Sequence, residues 1–368
     1  MTRVADQPSA FDVLVAQAAE RLERSAFDFL DGGATDEITL DANRRAFERW
    51  CLLPRTCVDV STVDVSVELR HARLDVPYFV APSGAHRLFH PDAEFASAAA
   101  AKSSGAVYVT STAASVSMEE LAAVAPDERW YQLYCFRDRG VVADLVRRAE
   151  HSGYRALVVT VDAPVLGRRL RDVRNNFSVG PEIRWANLEP YGAADLGGPT
   201  DGSVVARYFA DQIDPSITWD DIEQLVASTH LPVYVKGVLH PGDARRAVSA
   251  GVQGVYVSNH GGRQLDRVPA TLDALGDIVE AVGDELDVLV DGGVRCAADV
   301  VIALARGADA VGLGRLVIYA LAAGGQASMT AVLDELRDDL IHTLRLLGVP
   351  RLRSLDRSSL VPARPTES

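Results

Sequence analysis

The chain has 368 residues, 48% hydrophobic and 24% charged, enough to bury a sizeable core and too apolar for a disordered segment. Its formal net charge of −14 argues against nucleic acid or an anionic membrane as the main partner, so an anionic ligand needs a local cluster of basic side chains. Cys51, Cys57, Cys135 and Cys296 show neither metal nor disulfide spacing, no leader opens the chain, no peroxisomal tripeptide ends it, and no apolar run reaches the length of a membrane helix, which together predict a soluble, cytoplasmic protein without a metal site.

Residues 1–10 read as a polar start. Helical apolar spacing then runs over 11–30, with Leu14, Ala18, Leu22 and Phe29 facing inward, until Gly32-Gly33 stops it. A second helix is predicted over 37–50. Residues 65–69 and 73–77 read as a hairpin around Arg70-His71. This N-terminal region, 1–75, is predicted to plug or cap the base of a larger body.

From residue 76 a rhythm sets in. Apolar runs at 78–82, 106–111, 130–135, 156–162, 232–237, 254–259, 288–292 and 310–314 alternate with helical stretches such as 91–104, 139–152, 241–250 and 297–306. Near-continuous apolar strands, each followed by a helix, imply a parallel sheet covered by helices. Eight repeats imply an α/β fold of the closed (β/α)8 TIM barrel type, over 76–325, rather than an open doubly wound sheet. The glycine turn of a classical dinucleotide fold is missing, since Gly312-Leu313-Gly314 lacks a third glycine and follows the eighth strand. After the fourth strand, from about 175 to 219, periodicity is lost; a connection this long reads as a lid or binding loop on the catalytic face. Residues 330–347 read as a terminal amphipathic helix, and a tail completes the 326–368 extension of a single domain.

In such a barrel, functional groups sit at the C-terminal ends of strands, and side chains two apart share a face. Ser111 ends the second run, Gln132 and Tyr134 the third, Thr160 and Asp162 the fourth, Lys236 the fifth, and Ser258 and His260 the sixth. Each alone could be a satisfied core group, and Asp162, ahead of Pro164, could be a helix cap. Unpartnered, they would cost roughly 1–3 kcal/mol each, which a shared ligand site explains better. The sixth run opens into Ser258-Asn259-His260-Gly261-Gly262-Arg263-Gln264-Leu265-Asp266. Glycines permit positive φ, the imidazole can take a proton near neutral pH, and the guanidinium can grip a carboxylate through two parallel hydrogen bonds. A base and an anion clamp three residues apart suit a small acid that loses a proton next to its carboxylate.

This stretch resembles, nearly residue for residue, the active-site signature of the FMN-dependent 2-hydroxy acid oxidases and dehydrogenases, the family of glycolate oxidase, lactate oxidase, mandelate dehydrogenase and hydroxymandelate oxidase. The resemblance runs from Phe27-Asp28-Phe29 to the final helix. It implies FMN as cofactor, a 2-hydroxy acid as substrate and a homotetramer. It further implies that Arg263 and Arg169 bind the substrate carboxylate, that Tyr134 and His260 contact the 2-hydroxyl, and that Asp162 orients His260 as the base. Two electrons pass to the flavin, as hydride or through a carbanion, and a 2-oxo acid results. Pro82, Ser83, Gly84, Ser111, Gln132 and Thr160 match positions around the flavin ring, with Lys236 beside it and Ser258 in the same group. Asp291 matches the ribityl contact. Gly293, Arg295, Gly314 and Arg315, at the ends of strands seven and eight, match a phosphate clamp at the usual place in this fold.

Three departures bear on specificity. Phe29 stands where many relatives have tyrosine, Ala113 where glycolate oxidases have a large aromatic, and Gly84 where many oxidases have alanine. The first two favour a larger, more apolar acid. The blocks Phe27-Asp28-Phe29-Leu30 and Arg87-Leu88-Phe89-His90-Pro91 are most similar to the hydroxymandelate oxidases, implying mandelate or 4-hydroxymandelate. An aliphatic substrate is the alternative. The third, shared with mandelate dehydrogenase, leaves O2 and a quinone-like acceptor both open. A non-redox FMN isomerase would explain the phosphate clamp but not the base and double-arginine set, and a binding protein on a decayed barrel would not keep them all.

Overall fold

Eight parallel strands close on themselves: β1 (Tyr78–Val80), β2 (Val107–Ser111), β3 (Arg129–Tyr134), β4 (Ala156–Thr160), β5 (Val233–Val238), β6 (Gly254–Val257), β7 (Asp287–Val290) and β8 (Ala310–Leu313). Each pairs with its neighbours in sequence, and β8 pairs with β1, with Val311 opposite Tyr78. The computed structural model describes residues 8–180, 183–192 and 211–363. All eight predicted apolar runs are therefore strands, and the barrel is the predicted one. The runs read as continuous apolar segments because both faces are buried: one against the helices, the other inside the barrel.

The barrel interior is packed with large side chains. Trp130 and Tyr234 stack with centroids 5.2 Å apart, and Phe79 meets Tyr256 edge-on at 5.4 Å. The predicted hairpin, Val67–Glu68 with Arg73–Leu74, closes the base, where Leu69 and Leu74 join the interior cluster. Asp287, at the start of β7, accepts from the Arg70 amide (3.1 Å) and the Tyr234 hydroxyl (2.7 Å), which satisfies a carboxylate that burial would otherwise penalise.

Four expectations need correcting. The helix predicted over 11–30 is two helices, Ala10–Arg21 and Arg24–Asp31, because Leu22 is extended (φ −89°, ψ 146°). Only the hairpin sits at the base; these helices and Ile38–Glu48 lie on the opposite, catalytic face, held there by the turn after β6. Asp266 of that turn accepts from the Thr39 amide (2.8 Å) and the Thr35 hydroxyl (2.7 Å). The helix predicted over 330–347 is the end of one longer segment, Arg315–Leu347, kinked at Gly324 and Gly325. It is long and apolar enough to cross a membrane by length and composition, but 61% of its most apolar window is buried against the rest of the protein. The C-terminal tail is structured to residue 363: Leu360–Pro362 pairs antiparallel with Trp50–Leu52.

Candidate active site

Where β2 to β7 end, their polar side chains form a belt of two bonded groups. Ser111 donates to Gln132 Oε1 (3.2 Å), and Gln132 Nε2 donates to Thr160 Oγ1 (3.0 Å). Lys236 Nζ donates to Ser258 Oγ (2.7 Å) and lies 3.5 Å from the Asp291 carboxylate. Its ammonium also stands over the Tyr256 ring at 5.0 Å. The adjacent cavity has a volume of 1110 Å³, at or above the roughly 300–1,000 Å³ of common ligand pockets, so it has room for a cofactor and a substrate together.

Most of the predicted site residues line this cavity: Phe29, Pro82, Ser83, Gly84, Ser111, Ala113, Tyr134, Arg169, Lys236, His260, Arg263, Asp291, Gly293, Arg295, Gly314 and Arg315. Gln132, Ser258 and Asp162 stand behind the wall, each bonded to a group that lines it, and Thr160 is bonded in turn to Gln132.

The turn after β6 takes a conformation that its glycines permit. His260, Gly261 and Gly262 all have positive φ (57°, 64° and 73°), and a β-carbon at Gly262 would stand 2.7 Å from the Leu40 amide nitrogen. Asn259 caps this turn through Gly262 N (3.0 Å) and exchanges side-chain amide bonds with Asn43 (2.8 and 2.9 Å). The turn aims His260 so that Nδ1 meets Asp162 Oδ1 at 2.9 Å. Burial would raise the Asp162 pKa, but the facing His260, with Lys236 beyond it, holds it below the ordinary value. A carboxylate on Nδ1 fixes the tautomer and leaves Nε2 to take a proton from the cavity. Burial, with the Asp162 charge nearby, raises the Tyr134 pKa, so its hydroxyl stays protonated.

The opposite wall is cationic. Burial, with Arg169 and Arg315 close by, pushes the Arg263 pKa well down; burial also lowers those of Arg169 and Arg315. Three desolvated guanidiniums in one wall favour an anion between them. The Arg169 Nε is buried and unbonded. Arg263 Nη1 donates to the carbonyls of Phe29 (2.6 Å) and Gly32 (2.8 Å), and its guanidinium lies 4.8 Å from the Phe29 ring centre. Asp172, 3.8 Å from Arg169, is a weak counter-ion, its own pKa raised by burial.

The residues at the ends of β7 and β8 fit FMN. Gly293 (φ 82°) has no room for a side chain, since a β-carbon would stand 2.2 Å from the Asn43 carbonyl, whereas Gly314 faces open space at the start of a helix. The Asp291 Oδ1 is buried without a partner. The two clamp arginines have protein partners in this structure: Arg295 Nε donates to Asp299 (3.2 Å), and Arg315 binds the carbonyls of Leu30, Gly32 and Gly261 at 2.8–2.9 Å.

The family profile of the FMN-dependent dehydrogenases matches residues 18–362. The chain belongs to this family. The FMN-dependent dehydrogenases that it resembles include glycolate oxidase 1 of Zea mays, 42% identical over 346 residues and 94% of each chain. L-lactate oxidase of Nostoc sp. is 44% identical, covering 93% of this chain and 95% of its own. Among solved structures, mandelate oxidase with (S)-4-hydroxymandelic acid superposes with a TM-score of 0.91 at 43% identity, over 96% of this chain and 98% of the other. This family member is an FMN-dependent oxidoreductase of the 2-hydroxy acid oxidase type, acting on CH–OH donors.

Several cavity residues escape a reading from sequence. Asn43 and Arg44 come from the N-terminal helix Ile38–Glu48, and Phe177 and Trp185 from the connection after β4. A buried asparagine inside a helix is a local misfit, and it is the one signal that could have singled out Asn43. Of the predicted loop, 181–182 and 193–210 lie outside the described residues. The rest packs on the catalytic face, with Asn187 Nδ2 on the Ser111 carbonyl at 3.2 Å.

Proposed function

We propose that this enzyme oxidises an aryl (S)-2-hydroxy acid, such as mandelate or 4-hydroxymandelate, to the 2-oxo acid, with O2 as acceptor and H2O2 as co-product. One observation carries the reading: His260, backed by Asp162, and the half-buried Arg169 and Arg263 share a cavity with an aromatic wall. In that wall Phe29 stacks on Phe177 at 4.5 Å and faces Phe89 at 6.5 Å. Ala113, small and lining the same cavity, leaves the substrate side chain room.

Bound FMN would supply the two-electron acceptor. The chain does the rest. Arg169 and Arg263 bind the carboxylate, Tyr134 donates to the substrate oxygen, and His260 Nε2 takes the proton while Asp162 stabilises the imidazolium. Gly293, Arg295, Gly314 and Arg315 would hold its phosphate, Asp291 its ribityl chain, and Lys236 the electron-rich edge of its ring. Pro82, Ser83, Gly84 and Ser111, which line the cavity, would surround the ring, backed by Gln132, Thr160 and Ser258.

A second reading, a dehydrogenase passing electrons to a quinone-like acceptor, rests on Gly84, the residue that mandelate dehydrogenase shares at this position, where a β-carbon would stand 2.6 Å from the Ala113 carbonyl oxygen. The purified protein should be yellow and bleach anaerobically with mandelate faster than with lactate or glycolate. Preference for glycolate would sink the aryl reading, and dye reduction without peroxide would replace O2. The same reading carries a cytoplasmic homotetramer, for which analytical ultracentrifugation is the check.

A further inference from the structure

The cavity wall that carries Ser83 is backed by a second imidazole that the reaction above does not use. His86 lies in the short turn His86–Leu88 after β1 and is only 1% exposed. Both ring nitrogens meet hydroxyls: Nε2 is 2.7 Å from Ser83 Oγ, and Nδ1 is 2.9 Å from Ser97 Oγ in the helix Ala93–Ser103. The turn is itself fixed. Glu94, fully buried, accepts from the His86 amide (3.0 Å) and the Ser115 amide (2.8 Å). Ala85, just before, is held at φ 58°, a conformation that non-glycine residues keep only where the surroundings over-determine it.

Burial lowers the His86 pKa against the opposing charge of Glu94, so the ring is neutral. A neutral imidazole has one donor and one acceptor, and here each has a hydroxyl partner. Of this chain of three side chains, only Ser83 lines the cavity.

We propose that His86 is a positioning residue that pins the Ser83 hydroxyl against the FMN ring, and so sets how readily the ring accepts electrons. The inference rests on the FMN reading of the cavity. A ring that served packing alone would need neither hydroxyl, and a leucine of similar bulk would replace it with no effect on the cofactor.

The test uses the FMN-loaded enzyme and sulfite, which adds reversibly to the electron-poor flavin and bleaches its visible band. Losing one well-oriented hydrogen bond should weaken sulfite binding about tenfold in His86→Leu. Ser83→Ala should do the same. The double variant should be no worse than either, since the two act through one hydroxyl. His86→Gln, whose amide can reach Ser83, should recover most of the affinity. Parent-like sulfite binding in His86→Leu, or effects of the two single variants that multiply, would overturn the proposal. If His86→Leu fails to fold, Ser97→Ala is titrated instead; there, sulfite binding within about twofold of the parent overturns it. A parent protein that takes up no FMN would instead sink the cofactor reading, which is a separate failure.

Discussion

A β-carbon added at Gly237 would stand 2.5 Å from the Cβ of Asp162. Gly237 has φ 109° and sits where β5 slips register between Lys236 and Val238. The irregular strand thus makes the space for the carboxylate that orients His260. Gly237→Ala should push Asp162 away and lower kcat by about 100-fold, within the range for losing a positioned general base. FMN content should be unchanged. A parent-like kcat would show that Asp162 does not set the base.

Arg263 combines a backbone clamp on Phe29 and Gly32 with a face-on contact to the Phe29 ring. Lysine cannot reproduce a planar fork that does both. Arg263→Lys should raise KM for the 2-hydroxy acid by roughly 10- to 100-fold, the value of one or two charge-assisted bonds. Steady-state kinetics would show it, and an unchanged KM would remove Arg263 from the carboxylate site.

Asp266 ties the N-terminal helices to the catalytic turn. Burial would raise its pKa, but the amide of Thr39, the hydroxyl of Thr35 and the Arg267 amide bring it down to about 2. A depressed folded-state pKa stabilises the protein above the unfolded value, and that contribution is lost as pH falls from about 4 toward 2. It amounts to roughly 2 kcal/mol. Urea unfolding should show stability dropping over that window in the parent. Asp266→Asn should be less stable at pH 7 by a similar amount and show a shallower drop.

Gly312 in β8 leaves the place that the Tyr256 phenol fills; a β-carbon there would stand 2.2 Å from its oxygen. Gly312→Ala should cost about 1–3 kcal/mol through overpacking, read as a lower Tm. Adding Tyr256→Phe removes the clashing oxygen and should restore part of it. If the second substitution lowers Tm further, the phenol is not what the glycine accommodates.

Ala113 decides how much room the substrate side chain has. Ala113→Trp should cut kcat/KM for mandelate by about tenfold or more, while glycolate, which has no side chain to clash, is spared. Equal losses on both acids would argue that the position affects folding or FMN instead.

Local patterning carried the barrel and its belt of polar strand ends. An apolar run of five residues, or Ser258 and His260 two apart, is complete within a short window, and burial on both faces leaves a readable trace there. The pairing of Asp162 with His260 rests on the resemblance of the signature to the family's, since ending strands of one barrel does not by itself select a partner. The chain also carried the glycines that let the turn at His260 take positive φ. Only the tertiary structure decided that the N-terminal helices cross to the catalytic face, bringing Asn43 against Asn259 and Phe29 under Arg263. It alone showed that Leu360–Pro362 returns to Trp50–Leu52, and that Phe177 completes the aromatic wall. These contacts join residues about 150 to 300 positions apart, and side-chain complementarity over such separations imposes no period on either segment.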